Sequence, residues 1–147
     1  METIFNNITI NTLTKRISNL KETDKAQWGK MDTYQMLKHC TLSEELFQGK
    51  KQYKRLIMGK LFGKMALKGI LKNKNPMKKN QPTHPEFKIT GKGDFENEQK
   101  KWIELLNAYQ NFSNKNFTHP FFGEMSNDEI GQFVYKHTDH HLKQFGR

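Results

Sequence analysis

The stretch KHTDHHLKQFG, Lys136 to Gly146, decides how the chain reads, because it sets His137 and His141 four residues apart in a segment with helical periodicity. Residues at i and i+4 stack on one face of a helix. Turning the wheel upstream by about 100° per residue brings Ile130, Phe133 and Val134 onto that face, so both imidazoles lie on an apolar stripe directed at a core. His140 and Gln144 fall on the flank of the stripe, and Lys136, Asp139 and Lys143 point away from it. The helix has clear ends. Ser126 and Glu129 form a capping box, Asp128 and Glu129 put negative charge in the first turn, and Gly146 suits the position after the last turn.

Two buried neutral histidines each present a donor and an acceptor, and leaving such a group unpaired costs about 1–3 kcal/mol. A hydrogen-bonded pair in the core, or half exposed at a bundle end, is one way to satisfy them. A divalent metal is the other, since neutral imidazole nitrogens at i and i+4 are well placed as ligands. A third histidine, His39, falls on the buried stripe of an upstream helix. Three histidines from two helices with a fourth position open is the layout of a catalytic zinc site rather than of a closed structural one. Zn²⁺ and Ni²⁺ are the leading ions, because nitrogen sites favour the late first-row metals. The metalloprotease pattern H-E-x-x-H is absent, with Thr138 where its glutamate would stand. His84 and His119 each precede a proline, which favours turn or surface roles. Cys40 reads as a small hydrophobe.

Outward from that stretch, four more helical segments are expected. The first spans about Thr12 to Lys21. The second runs from about Thr33 to Gln48, with Asp32 as cap, Gln35 completing the box, and Met36, His39, Cys40, Ser43 and Phe47 along its stripe. The third, about Tyr53 to Leu71, carries Lys60, Lys64, Lys68 and Lys72 along one side, with Met58, Phe62, Met65, Ala66 and Ile70 opposite. Asn73 to Gly93 reads as a long crossover loop. Asp94 caps a fourth helix over about Phe95 to Phe112, with Trp102, Leu106 and Tyr109 inward and Glu98 beside them. The run HPFFG at His119 forms a tight turn before Ser126. Without any alternating strand pattern, the chain reads as a single all-α domain built as an antiparallel bundle.

At 147 residues the chain is long enough for one core, for which eleven Phe, four Tyr and two Trp supply material. A single cysteine excludes an internal disulfide. The opening METIFNNITI has no basic and apolar signal pattern, and no apolar run reaches membrane-spanning length, so a soluble cytoplasmic protein is expected. The formal charge of +10 is concentrated: eleven of the basic residues lie between Lys50 and Lys79, and no acid occurs between Glu45 and Glu86.

WGKMDTYQMLKHC (Trp28 to Cys40), PMKKNQPTHPEF (Pro76 to Phe87) and HPFFGEMSNDEIGQFVYKHTDHHLKQFG (His119 to Gly146) together resemble a domain family of unknown function within the DinB/YfiT-like metalloenzyme superfamily. The resemblance covers most of the chain from Trp28 onward, and its most specific parts are the HPFFG turn and the KHxDHHLxQFG ending. It implies a DinB-like antiparallel four-helix bundle with a long crossover connection and an additional short helix. By motif, the first metal histidine falls on His39 and the later H-x-x-x-H pair on His137 and His141, with Gln144 three residues further on. The implied chemistry is that of a metal-dependent hydrolase or of a low-molecular-weight-thiol-dependent transferase acting on a small-molecule substrate. His140 and Gln144 are the catalytic candidates, as residues that orient ligands or substrate. A homodimer is compatible with this reading.

The rival expectation is a non-catalytic binding module whose basic 50–79 segment engages nucleic acid or an anionic surface. Aromatic residues within that block are limited to Tyr53 and Phe62, and no nucleic-acid motif accompanies them.

Overall fold

The computed structural model describes residues 2–114 and 117–147. Five α-helices account for about half of the chain: α1 (Asn7–Ser18), α2 (Thr33–Phe47), α3 (Ile57–Leu71), α4 (Phe95–Asn107) and α5 (Asn127–Gln144). A short 3-10 turn at Pro85–Phe87 lies in the long connection, and α4 tightens into a further 3-10 turn at Ala108–Asn111. Two two-residue strands, β1 (Thr118–His119) and β2 (Gly123–Glu124), pair antiparallel across the HPFFG run, with His119 opposite Gly123. An all-α reading missed this hairpin because strands of two residues are too short to alternate. No helix among the described residues is long and apolar enough to cross a membrane.

The strongest local signals set the helices that carry the site. Asp32 accepts from the Gln35 amide while the Gln35 side chain reaches back to the Asp32 amide, which closes the capping box of α2. Ser126 and Glu129 do the same for α5. Gly146 takes a φ of +73° just beyond α5, a conformation costly to residues with a Cβ. The first helix begins earlier than its hydropathy suggests. Asn6 caps it by accepting from the Ile8 amide, so Ile8 is exposed while Ile10, Leu13 and Ile17 are buried.

Helix α2 packs on α4 and α5, and α1 packs on the same two, around a core that includes Phe47, Trp102, Leu106, Ile130 and Leu142. Helix α3 sits apart, on α5 and the hairpin.

Three expectations are corrected by this packing. Helix α3 starts at Ile57 rather than Tyr53, and the apolar side expected opposite its lysines is split: Ala66 and Ile70 are half-buried on the side of the buried Gly59, Gly63 and Leu67, whereas Met58, Phe62 and Met65 face outward. The cause is backbone proximity. A Cβ on Gly59 would lie 2.5 Å from the Phe121 carbonyl oxygen, and one on Gly63 would overlap it, so only the glycine edge can approach the hairpin. Lys136, expected to point away, is buried; its Nζ donates to the carbonyl oxygens of Ile70 at 2.7 Å and Asn73 at 2.9 Å, closing the C-terminal end of α3. His119, expected in a turn or at the surface, is in the turn but buried, its Nδ1 accepting from the Phe121 and Phe122 amides at 3.1 and 3.2 Å.

Candidate metal centre

Helix α2 delivers His39, and successive turns of α5 deliver His137 and His141. All three are buried, and one nitrogen from each lies within 4.8 Å of the others. The rings converge, with centroid separations of 4.6 Å for His137–His141, 4.8 Å for His39–His141 and 5.2 Å for His39–His137. Phe133, one turn before His137, stacks on its ring at 13° and walls the group on that side.

The neighbours fix two of the three tautomers. His39 Nδ1 stands 3.0 Å from the Phe87 carbonyl oxygen, which can only accept, so this nitrogen carries the proton and Nε2 keeps its lone pair. Gln144 Nε2 donates to the Trp28 carbonyl oxygen at 2.7 Å, which turns the amide oxygen toward His141 Nδ1 at 2.9 Å. His141 therefore donates from Nδ1 and also presents a bare Nε2. Metal-bound histidines carry this same outer hydrogen bond. His39 Nε2 and His137 Nε2 are 3.1 Å apart. Two ligands at about 2.1 Å from one ion and about 95° apart have that separation, and so does a single N–H···N hydrogen bond. The donor set fits a late first-row divalent ion.

Electrostatics keep the imidazoles in the ligand form. Burial pushes the pKa of His137 and His141 well below the ordinary value, with the neighbouring histidines adding to it. Burial also lowers His39, against the raising effect of its bond to Phe87. For His119, burial is again the main cause, and its pKa falls to about 3. At neutral pH these groups are uncharged.

The trio opens onto a cavity of about 830 Å³. All six histidines of the chain line it: His39, His84, His119, His137, His140 and His141. Most of the remaining wall is apolar, including Met31, Leu56, Ile70, Met77, Phe121 and Phe122, with Lys30, Lys78 and Lys88 also contributing. No carboxylate is among the lining residues described. Trp28 packs edge-on to His140 at 5.5 Å, and Lys79 Nζ stands 4.3 Å over the Trp28 ring. Burial lowers the pKa of His140 too.

The profile of the family described as protein of unknown function (DUF1569) matches residues 5–147. The chain belongs to the DUF1569 family. That description states no activity, and nothing in the match ties this DUF1569 chain to the DinB/YfiT-like superfamily. No curated protein and no solved structure matched the chain.

Every sequence-selected site residue of this DUF1569 domain therefore lies at one cavity: His39, His137 and His141 at its inner end, His140 on its wall, and Gln144 behind His141. Glu98 does not reach it. That carboxylate, expected beside the inward residues of α4, is buried against the Thr41 hydroxyl and Lys38. Cys40 lies in the core next to Met36, and burial pushes its thiol well up, which fits the hydrophobe reading. Hydropathy gave no hint of the Phe87 and Trp28 carbonyls, because any residue supplies a carbonyl. His84 and His119 carried a usable signal, since each stands before a proline and each prolyl turn returns its histidine to the cavity.

Proposed function

We propose that this chain is a metal-dependent enzyme of the DinB/YfiT-like kind, in which His39, His137 and His141 hold Zn²⁺ or Ni²⁺ and the reaction is a low-molecular-weight-thiol-dependent transfer. The observation that carries the reading is the paired fixing of tautomers, with Phe87 and Gln144 each taking an Nδ1 proton so that His39 and His141 turn bare Nε2 atoms toward His137. A plain core cluster also needs acceptors for its N–H groups, but it has no need of bare Nε2 atoms gathered around a third histidine. The mutual packing of α1, α2, α4 and α5, with α3 and residues 72–94 connecting α2 to α4, supports an antiparallel four-helix bundle with a long crossover.

A bound divalent ion would supply Lewis acidity and deprotonate a coordinated thiol without a separate base. The described cavity wall holds no carboxylate, so either that transfer or a hydrolysis would rely on the ion itself, which also lowers the pKa of a bound water toward about 7. Within the site, Phe133 and Phe87 shield the imidazoles from water, and His141 is held in register by Gln144. His140, half-buried on the wall, is placed to orient the substrate. Trp28 Nε1 and His84 Nε2 are buried at the same wall without a protein partner and offer polar anchors for it. The apolar lining selects a substrate with a hydrophobic body.

Metal analysis by plasma mass spectrometry on tag-free protein, purified without chelator or nickel resin, tests the proposal. Near-stoichiometric metal in the parent and none in a folded His137→Ala variant is the expected result. A metal-free parent that added Zn²⁺, Ni²⁺ and Mn²⁺ all fail to stabilise would reduce the trio to a polar core cluster.

A further inference from the structure

Six large hydrophobic residues are strongly exposed among those described, and five of them lie on α3: Ile57 at 76%, Met58 at 59%, Leu61 at 69%, Phe62 at 45% and Met65 at 67%. They form one contiguous outer face, because the glycine edge of the helix is pressed against the hairpin and leaves no other side for them. Lys60 flanks this face, and Lys68 and Lys72 lie at its C-terminal end; all three are exposed. Lys64, on the same flank, is engaged by Glu129 and the Glu124 carbonyl. No acid occurs in the chain between Glu45 and Glu86.

We propose that this face of α3 docks on an anionic lipid bilayer, with Ile57, Leu61 and Met65 entering the acyl boundary while Lys60, Lys68 and Lys72 meet the headgroups. A basic helix with a wide apolar face is the form that lies in a membrane interface, and the aliphatic stems of lysine let the charge stay at headgroup level. Charge selects this occupant. A second copy would bring the same lysine-flanked face against itself, with no acid on the helix to pair. A nucleic acid would meet aliphatic and methionine side chains in place of stacking aromatics, Phe62 being the lone ring on the face. The opposite side of the same helix walls the cavity through Ala66 and Ile70, so docking would hold the cavity about one helix diameter, roughly 10 Å, from the acyl boundary. The proposal stands on the exposed face alone and is independent of any metal at the three histidines.

Vesicle flotation tests it at about 0.1 M salt, with phosphatidylcholine vesicles carrying about 30% phosphatidylglycerol against pure phosphatidylcholine, and circular dichroism to verify that each variant is folded. The expected result is flotation of the parent with the anionic vesicles only. Leu61→Asp combined with Met65→Asp should reduce the bound fraction at least tenfold. Replacing Lys60, Lys68 and Lys72 with Gln should weaken binding roughly a hundredfold, at about fivefold for each charge near an anionic surface. Three results would each overturn the proposal: no flotation of the parent, binding that survives both sets of substitutions, or a lipid-free dimer abolished by Leu61→Asp.

Discussion

His141 donates its Nδ1 proton to Gln144 at 2.9 Å, and Gln144 can accept it only because its own amide is committed to the Trp28 carbonyl oxygen. The chain from Trp28 through Gln144 to His141 fixes which nitrogen faces the other two imidazoles. Gln144→Ala should therefore lower zinc affinity by about 10–100-fold, the usual cost of removing an outer hydrogen-bond partner, with the helical signal unchanged. Isothermal titration with Zn²⁺ measures this, and parental affinity in the variant would remove Gln144 from the site.

Two glycines of one helix should respond oppositely to alanine. Gly63 faces the Phe121 backbone at a distance no Cβ tolerates, whereas Gly69 has nothing within 4 Å of its added methyl. Gly63→Ala is expected to destabilise by about 2 kcal/mol or more as α3 is forced off the hairpin. Gly69→Ala should stabilise by roughly 0.5–1 kcal/mol through helix propensity. Urea unfolding of the two variants settles the orientation of α3, since a helix buried by its methionine face would give no such contrast.

Glu44 lies wholly within the core, where the Tyr109 hydroxyl donates to it at 2.6 Å and burial pushes its carboxyl pKa up to about 8. A folded-state pKa above the unfolded value of about 4.5 means that the native state holds the proton over this interval while the unfolded chain releases it. Stability from this group is then full below pH 4.5 and declines as pH rises toward 8, by at most about 1.4 kcal/mol per unit. Glu44→Gln should flatten that decline, raising the midpoint of thermal unfolding more at pH 8 than at pH 5. Equal shifts at both values would show that Glu44 does not titrate in the interval.

Lys136 ties α5 to the end of α3 through the Ile70 and Asn73 carbonyls. Lys136→Met keeps the buried stem and removes the ammonium, leaving those carbonyls without their donor at a cost of about 1–3 kcal/mol. The loss should be local, seen as faster amide exchange over the last turn of α3, while α2 and α5 stay protected. Uniform exchange across the helices would mean that the lysine supports the whole domain instead.

The limits of α2 and α5, and the faces on which His39, His137 and His141 lie, were legible in the residues themselves. Caps at Asp32 and Ser126 act over three residues and the apolar stripe over four, so these features depend on near neighbours alone. The same local rules failed on α3. Hydropathy grouped Met58, Phe62 and Met65 with Ala66 and Ile70 as one apolar side and could not mark the glycine edge as the packed one, because glycine contributes nothing to a hydrophobic stripe although its lack of a side chain permits the closest approach.

By itself, then, the sequence determined the helical class, the ends and inner faces of α2 and α5, and three histidines able to meet. Only the tertiary structure decided that all six histidines share one cavity, that α3 turns Met58, Phe62 and Met65 outward, and that His39 and His141 each release Nε2. Those outcomes depend on backbone carbonyls at Phe87, Trp28 and Phe121, of which the first two lie 48 and 116 residues from their side-chain partners. A carbonyl is common to every residue type, so its effect comes from where the folded chain places it.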